Sequence, residues 1–159
     1  MPWYYNLALI FIFIIAATYL VIHTRKRLLK LWKDVTNNEV LFYRRMESVV
    51  RLFYKHKEEL QDEDNKEFYR TISRYRKKKI RALLLQTRQD LYNSLVNVYT
   101  CIEESEEEQY QNLKKSFNQL QKIRRIYNSK VLIYNQTISV FPTRYIALRM
   151  KLELKEYFG

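Results

Sequence analysis

The chain has 159 residues, with 29 Lys and Arg against 17 Asp and Glu for a net charge of +12, and only one Gly, two Pro and one Cys. With that Gly at Gly159 there is no interior glycine, which excludes phosphate-cradling loops, the dinucleotide fingerprint, the nucleophile elbow and the Asn-Gly or Asp-Gly turns of tight β-hairpins. An all-α fold remains, and the lone Cys101 excludes an internal disulfide or a Cys-only zinc site.

Residues Met1 to Thr24 contain no Asp, Glu, Lys or Arg, and Trp3 to Ile22 is an apolar run of 20 residues broken only by Asn6 and Thr18. As a helix rising 1.5 Å per residue this run spans roughly 30 Å, the thickness of the hydrocarbon layer. Trp3, Tyr4 and Tyr5 at one end and Tyr19 and His23 near the other are the amphipathic types that settle at headgroup level. A cleaved signal peptide needs a positive n-region ahead of the apolar run and a small-residue cleavage site, and neither is evident, so residues 1–24 read as an uncleaved transmembrane anchor. Arg25, Lys26, Arg27, Lys30 and Lys33 follow at once. The positive-inside bias therefore predicts an external N-terminus and a cytoplasmic region 25–159, and a single free Cys agrees with a reducing compartment. The five cations are also candidates for contact with anionic lipid headgroups.

From Leu28 apolar residues fall at 28, 31, 35, 42, 46, 49, 53 and 60, in steps that predict one helix face continuing the membrane helix to near Gln61. The polar stretch Gln61 to Lys66 reads as a reversal. A second helix is expected from about Asn65 to Ile102, with Phe68, Ile72, Tyr75, Leu84, Leu91, Leu95, Val98 and Ile102 on one side. Seven cations between Arg70 and Arg81 strain it by like-charge repulsion. Glu103 to Glu108 supplies five Glu and a Ser, read as a turn and the acidic start of a third helix. That helix carries Tyr110, Leu113, Phe117, Leu120, Arg124, Tyr127, Val131, Tyr134, Ile138 and Phe141 at alternating steps of three and four, with Arg124 the one polar exception. Pro142 disfavours helical geometry at Phe141 and ends or kinks the helix, leaving Thr143 to Phe158 for one short amphipathic helix. The expected architecture is one transmembrane helix continuing into an antiparallel bundle of three long helices plus a short C-terminal helix, with 25–159 as one domain.

Within the third helix, Tyr127-Asn128, Tyr134-Asn135 and Phe141-Pro142 recur every seven residues. Two turns separate each pair, so the three aromatics are expected on one face, and both Asn residues beside it are placed to hydrogen-bond to a neighbouring helix and fix register. An aromatic core seam is the simpler reading of such a stripe than a binding site. The text RRIYNSKVLIYNQTISVFPTRYIA, Arg124 to Ala147, closely resembles the C-terminal signature of the LemA family of bacterial membrane-anchored helical proteins, with YN, YN and FP at these intervals and Ala147 five residues after Pro142. The resemblance extends more loosely to Asn118 and to the Tyr157-Phe158-Gly159 end, with a weak echo at Arg44 to Glu58. The family's Pro-Asn-Leu-Val has no counterpart here, and Gln109 to Gln121 aligns in either of two registers. The resemblance implies a membrane-anchored antiparallel helical domain and no established chemistry.

No catalytic, cofactor-binding or metal-binding set is expected. His23 and His56 lie 33 residues apart, about 50 Å along a continuous helix, and so cannot share a metal within one chain. The Glu103 to Glu108 cluster lacks the pattern that wraps calcium and reads as a solvated turn, and its charge beside Cys101 disfavours a thiolate nucleophile. Arg70 to Arg81 raises nucleic-acid binding, which no recognised reading motif supports. The sequence therefore points to a membrane-anchored scaffold with a protein partner of unknown identity. Its alternative is electrostatic contact with anionic lipid through the basic segments, and pairing of heptad helices into a homo-oligomer is open.

Overall fold

The computed structural model describes residues 3–60, 65–75 and 78–159. It is helical throughout, with no strand among the described residues: α1 (Trp3–Lys55), α2 (Lys57–Leu60), α3 (Lys66–Tyr75), a 3₁₀ turn (Ile80–Ala82), α4 (Leu85–Glu103), α5 (Glu108–Ser139) and α6 (Thr143–Arg149). Two compact units are present, one of Met1–Val35 with Lys130–Glu156 and one of Thr36–Ser129 with Tyr157–Gly159.

Helix α1 runs for 53 residues with neither Gly nor Pro inside it. Residues 4–22 are exposed all round, and α1 is one helix long and apolar enough to cross a membrane. Beyond them the expected stripe appears: Leu28 and Val35 are buried in the first unit, and Phe42, Met46, Val49 and Phe53 in the second. The helix stops at a turn around His56, whose Nδ1 lies 3.0 Å from the Leu52 carbonyl oxygen, and α2 is a single further turn ending on buried Leu60. The reversal expected over 61–66 lies mostly outside the described residues. At its far edge Asn65 is buried and its amide donates to the Leu60 carbonyl at 3.2 Å.

The second helix expected over 65–102 is instead two, α3 and α4, which pack against each other. The break falls in the cationic stretch, where like charges at helical spacing oppose continuation. It is also tied in place. Ile80 is buried, and its backbone N–H donates to the Glu47 carboxylate at 2.9 Å. Leu84, expected on the buried stripe, is a correction of the same origin: it sits in extended geometry just before α4 and is 78% exposed. From Leu91 onward the stripe holds, with Leu95, Val98 and Ile102 buried.

In the acidic turn, α4 ends at Glu103 and α5 begins at Glu108. Lys114 Nζ donates to the Glu103 carbonyl at 2.7 Å and also to that of Ser105, so a cation from α5 satisfies carbonyls that the end of α4 leaves open. All the apolar stripe residues of α5 from Tyr110 to Ile138 are buried. Phe141 departs from expectation: it is 84% exposed. Helix α5 has already ended at Ser139, as a residue preceding proline is pushed out of helical geometry, so the heptad register no longer governs where Phe141 points.

The expected C-terminal helix is also shorter than 143–158. Helix α6 stops at Arg149 because Lys151 adopts φ +53°, and the Met150 and Leu152 N–H groups return to the Ala147 carbonyl at 3.1 and 3.0 Å. This is the left-handed closure by which helices commonly end. Residues 152–159 continue without regular structure, which leaves their backbone groups to be satisfied from elsewhere.

Candidate functional site

In the unit containing Thr36–Ser129, an aromatic cage forms around Phe158, which is 1% exposed. Its ring meets Phe42 at 4.7 Å between centroids, Tyr92 at 5.4 Å and Tyr43 at 5.9 Å, the latter two edge-on, the geometry aromatic quadrupoles favour. Tyr127 stacks on Phe42 at 5.9 Å. Asn128 fixes the Phe158 backbone from α5: its Nδ2 donates to the Phe158 carbonyl at 2.9 Å, and its Oδ1 accepts from the Phe158 N–H at 3.0 Å. Arg124 explains its place in an otherwise apolar stripe. Its guanidinium lies over the Tyr92 ring at 5.2 Å, and Nη1 reaches toward the Phe158 carbonyl at 3.5 Å. Burial pushes the Tyr92 hydroxyl pKa up, and the Arg124 charge and a Gln121 hydrogen bond partly offset it.

In the other unit Asn135 repeats the arrangement on Lys155. Its Nδ2 donates to the Lys155 carbonyl at 2.8 Å, and its Oδ1 accepts from the Lys155 N–H at 2.9 Å. Fully buried Tyr134 donates through its hydroxyl to the Glu153 carbonyl at 2.9 Å. Its pKa is raised first by burial and then by the Glu153 charge. Lys130 pairs with Asp34 at 2.8 Å across α5 and α1. Thus the two Asn residues do not bridge to a neighbouring helix as expected. They hold the backbone of the segment that follows α6, because that segment has no helical partners of its own.

Asn118 accepts from the Tyr99 hydroxyl at 3.3 Å, with Tyr99 stacked on Phe117 at 4.0 Å. Burial raises the Tyr99 pKa, Glu103 adds to the rise, and the Asn118 hydrogen bond lowers it. Pro142 precedes α6, and buried Ala147 supplies its closing carbonyl. Arg25, Lys26, Arg27, Lys30 and Lys33 are all exposed on α1. In the second basic segment Arg70, Arg74, Lys78, Lys79 and Arg81 are exposed, while Arg76 and Lys77 lie outside the described residues.

The arrangement grips an aromatic residue by ring and backbone. Among the described residues no three His, Cys, Asp or Glu side chains gather as a metal site. Cys101 is exposed and its thiol donates to the Asn97 carbonyl at 3.4 Å. The cage partners Phe42, Tyr43 and Tyr92 and the gripping of Lys155 were not legible, since each depends on how residues 152–159 return. The one sequence signal was an aromatic-rich end, Tyr157-Phe158, following a helix with paired Asn residues. Compared with known protein families, curated proteins and solved structures, the chain matches none.

Proposed function

We propose that the protein is a single-pass, membrane-anchored helical scaffold of the LemA type, without chemistry of its own, that presents region 25–159 to the cytoplasm for a protein partner. The observation that carries this reading is α1 itself. One uninterrupted helix begins with residues 4–22 apolar and exposed on every side, and later shows a one-sided buried stripe. Such a helix has a solvent problem in water that a bilayer removes, while its later part behaves as a helix packed on one face. Further support for an antiparallel bundle comes from contacts of α1 with α5 through Phe42 and Tyr127 and through Phe53 and Phe117, and of α4 with α5 through Tyr99 and Phe117. The LemA resemblance adds the family's plan, and the five exposed cations after the anchor support the inward orientation. The alternative, peripheral attachment to anionic lipid through Arg25 to Lys33 and Arg70 to Arg81, with nucleic acid less favoured, draws on the exposed cations of both segments.

Alkaline carbonate and 1 M salt washes of membranes separate the two. An integral anchor stays in the pellet through both, and deletion of residues 1–24 moves the protein to the supernatant. Release of the intact chain by salt alone overturns the anchor in favour of electrostatic attachment.

A further inference from the structure

The break between α3 and α4 leaves an apolar cavity of about 250 Å³ in the unit containing Thr36–Ser129. Its floor is formed by the buried side chains of Val50, Ile72, Ile80 and Leu91, contributed by three helices and the 3₁₀ turn, and its more open apolar lining by the half-buried rings of Tyr54 and Tyr75. Glu47 lines it as well, but its carboxylate is committed to the Ile80 N–H at 2.9 Å and so holds one wall in place. The rim is cationic: Arg51, Lys55 and Lys78 all line the cavity and are exposed. Lys78 Nζ lies 5.7 Å from the centroid of the Tyr75 ring, another lining residue, which keeps that cation at the mouth. Among the described residues none of the three cations has an ion-pair partner.

We propose that this cavity binds a medium-chain fatty acid, with the acyl chain among Val50, Ile72, Ile80 and Leu91 and the carboxylate at Arg51, Lys55 and Lys78. The lining is mostly apolar, so hydrocarbon placed there leaves water at little cost in polar contacts. The volume lies just below the roughly 300–1,000 Å³ of sites for drug-sized molecules, which fits one slender chain and excludes a two-chain lipid or a fused-ring ligand. The charge at the mouth selects for an anion: among the described lining residues three cations accompany one carboxylate, that of Glu47, which is already hydrogen-bonded to the Ile80 N–H. This site is independent of the anchor and of the Phe158 cage.

The test is equilibrium binding of radiolabelled decanoate to the full chain in phospholipid nanodiscs, read against empty nanodiscs. Saturable binding of one decanoate per chain is expected, with decanol competing at least about ten-fold more weakly because it lacks the charge. Lys55→Glu with Lys78→Glu alters exposed residues only, and weakens binding by about ten-fold or more while leaving the circular dichroism spectrum unchanged. Ile72→Trp fills the cavity and abolishes binding. Should that variant fail to fold, the charge-reversal pair still decides the matter. Counts no higher than on empty nanodiscs, equal competition by decanol, or wild-type affinity in the folded charge-reversal variant each overturn the proposal.

Discussion

An asparagine amide carries a donor and an acceptor side by side, the same complement as a peptide group, so it can pair with both backbone groups of one residue at once. Asn128 does this to Phe158 and Asn135 does it to Lys155. Asn128→Ala removes two hydrogen bonds and strands the N–H and carbonyl of a buried residue, with an expected loss of about 2 kcal/mol in urea unfolding. Asn128→Asp keeps only the acceptor and puts a charge there, so it does not restore wild-type stability. Two buried tyrosines behave in opposite ways. The Tyr134 hydroxyl is bonded to the Glu153 carbonyl, so Tyr134→Phe should cost about 1 kcal/mol. The Tyr69 hydroxyl is buried with no hydrogen-bond partner among the described residues, so Tyr69→Phe should be neutral or stabilising. Burial raises the pKa of both, and Cys101 and Tyr110 add to the rise at Tyr69. The folded state therefore keeps protons that the unfolded state releases above pH 10, and stability falls as pH climbs through that range. Urea midpoints at pH 9 and pH 11 should differ less in Tyr69→Phe than in the wild type; an unchanged difference removes Tyr69 as the source.

Among the elements, α5 was the most legible and the segment after α6 the least. The stripe of α5 holds from Tyr110 to Ile138 because its spacing answers to local periodicity alone. Periodicity fails where tertiary tethers intervene. Glu47 captures Ile80 and splits the second helix, and Lys151 turns the chain out of α6 eight residues before its end. The heptad spacing of the asparagines was visible, but its use was not. Each asparagine holds one residue of the segment that follows α6, Phe158 in one unit and Lys155 in the other, a use seen only once the return of that segment is known. Lys151 holds a left-handed conformation that costs a side-chain-bearing residue roughly 1 kcal/mol. Lys151→Gly should therefore raise stability by up to about 1 kcal/mol in thermal unfolding, and a fall in Tm would show that the closure depends on the lysine side chain.

At the scale of the whole molecule, the net charge of +12 is unevenly used. Arg25 to Lys33 form a compact group of exposed cations directly after an exposed apolar helix, whereas Arg70 to Arg81 interrupt a helix and include the cavity's Lys78. On the proposed anchored reading the first group should govern orientation: replacing all five of its cations with Gln should leave the chain in the membrane but mix its topology, as the charge bias across the proposed anchor is then lost. Both topologies can be read at one atom, because Cys101 is the only cysteine and its side chain is exposed. The most direct measurement is labelling of Cys101 by a membrane-impermeant maleimide in intact and permeabilised cells. A membrane-anchored scaffold with a cytoplasmic helical region predicts labelling only after permeabilisation, with the protein retained in carbonate-washed membranes. Labelling of intact cells would contradict the account, placing region 25–159 outside.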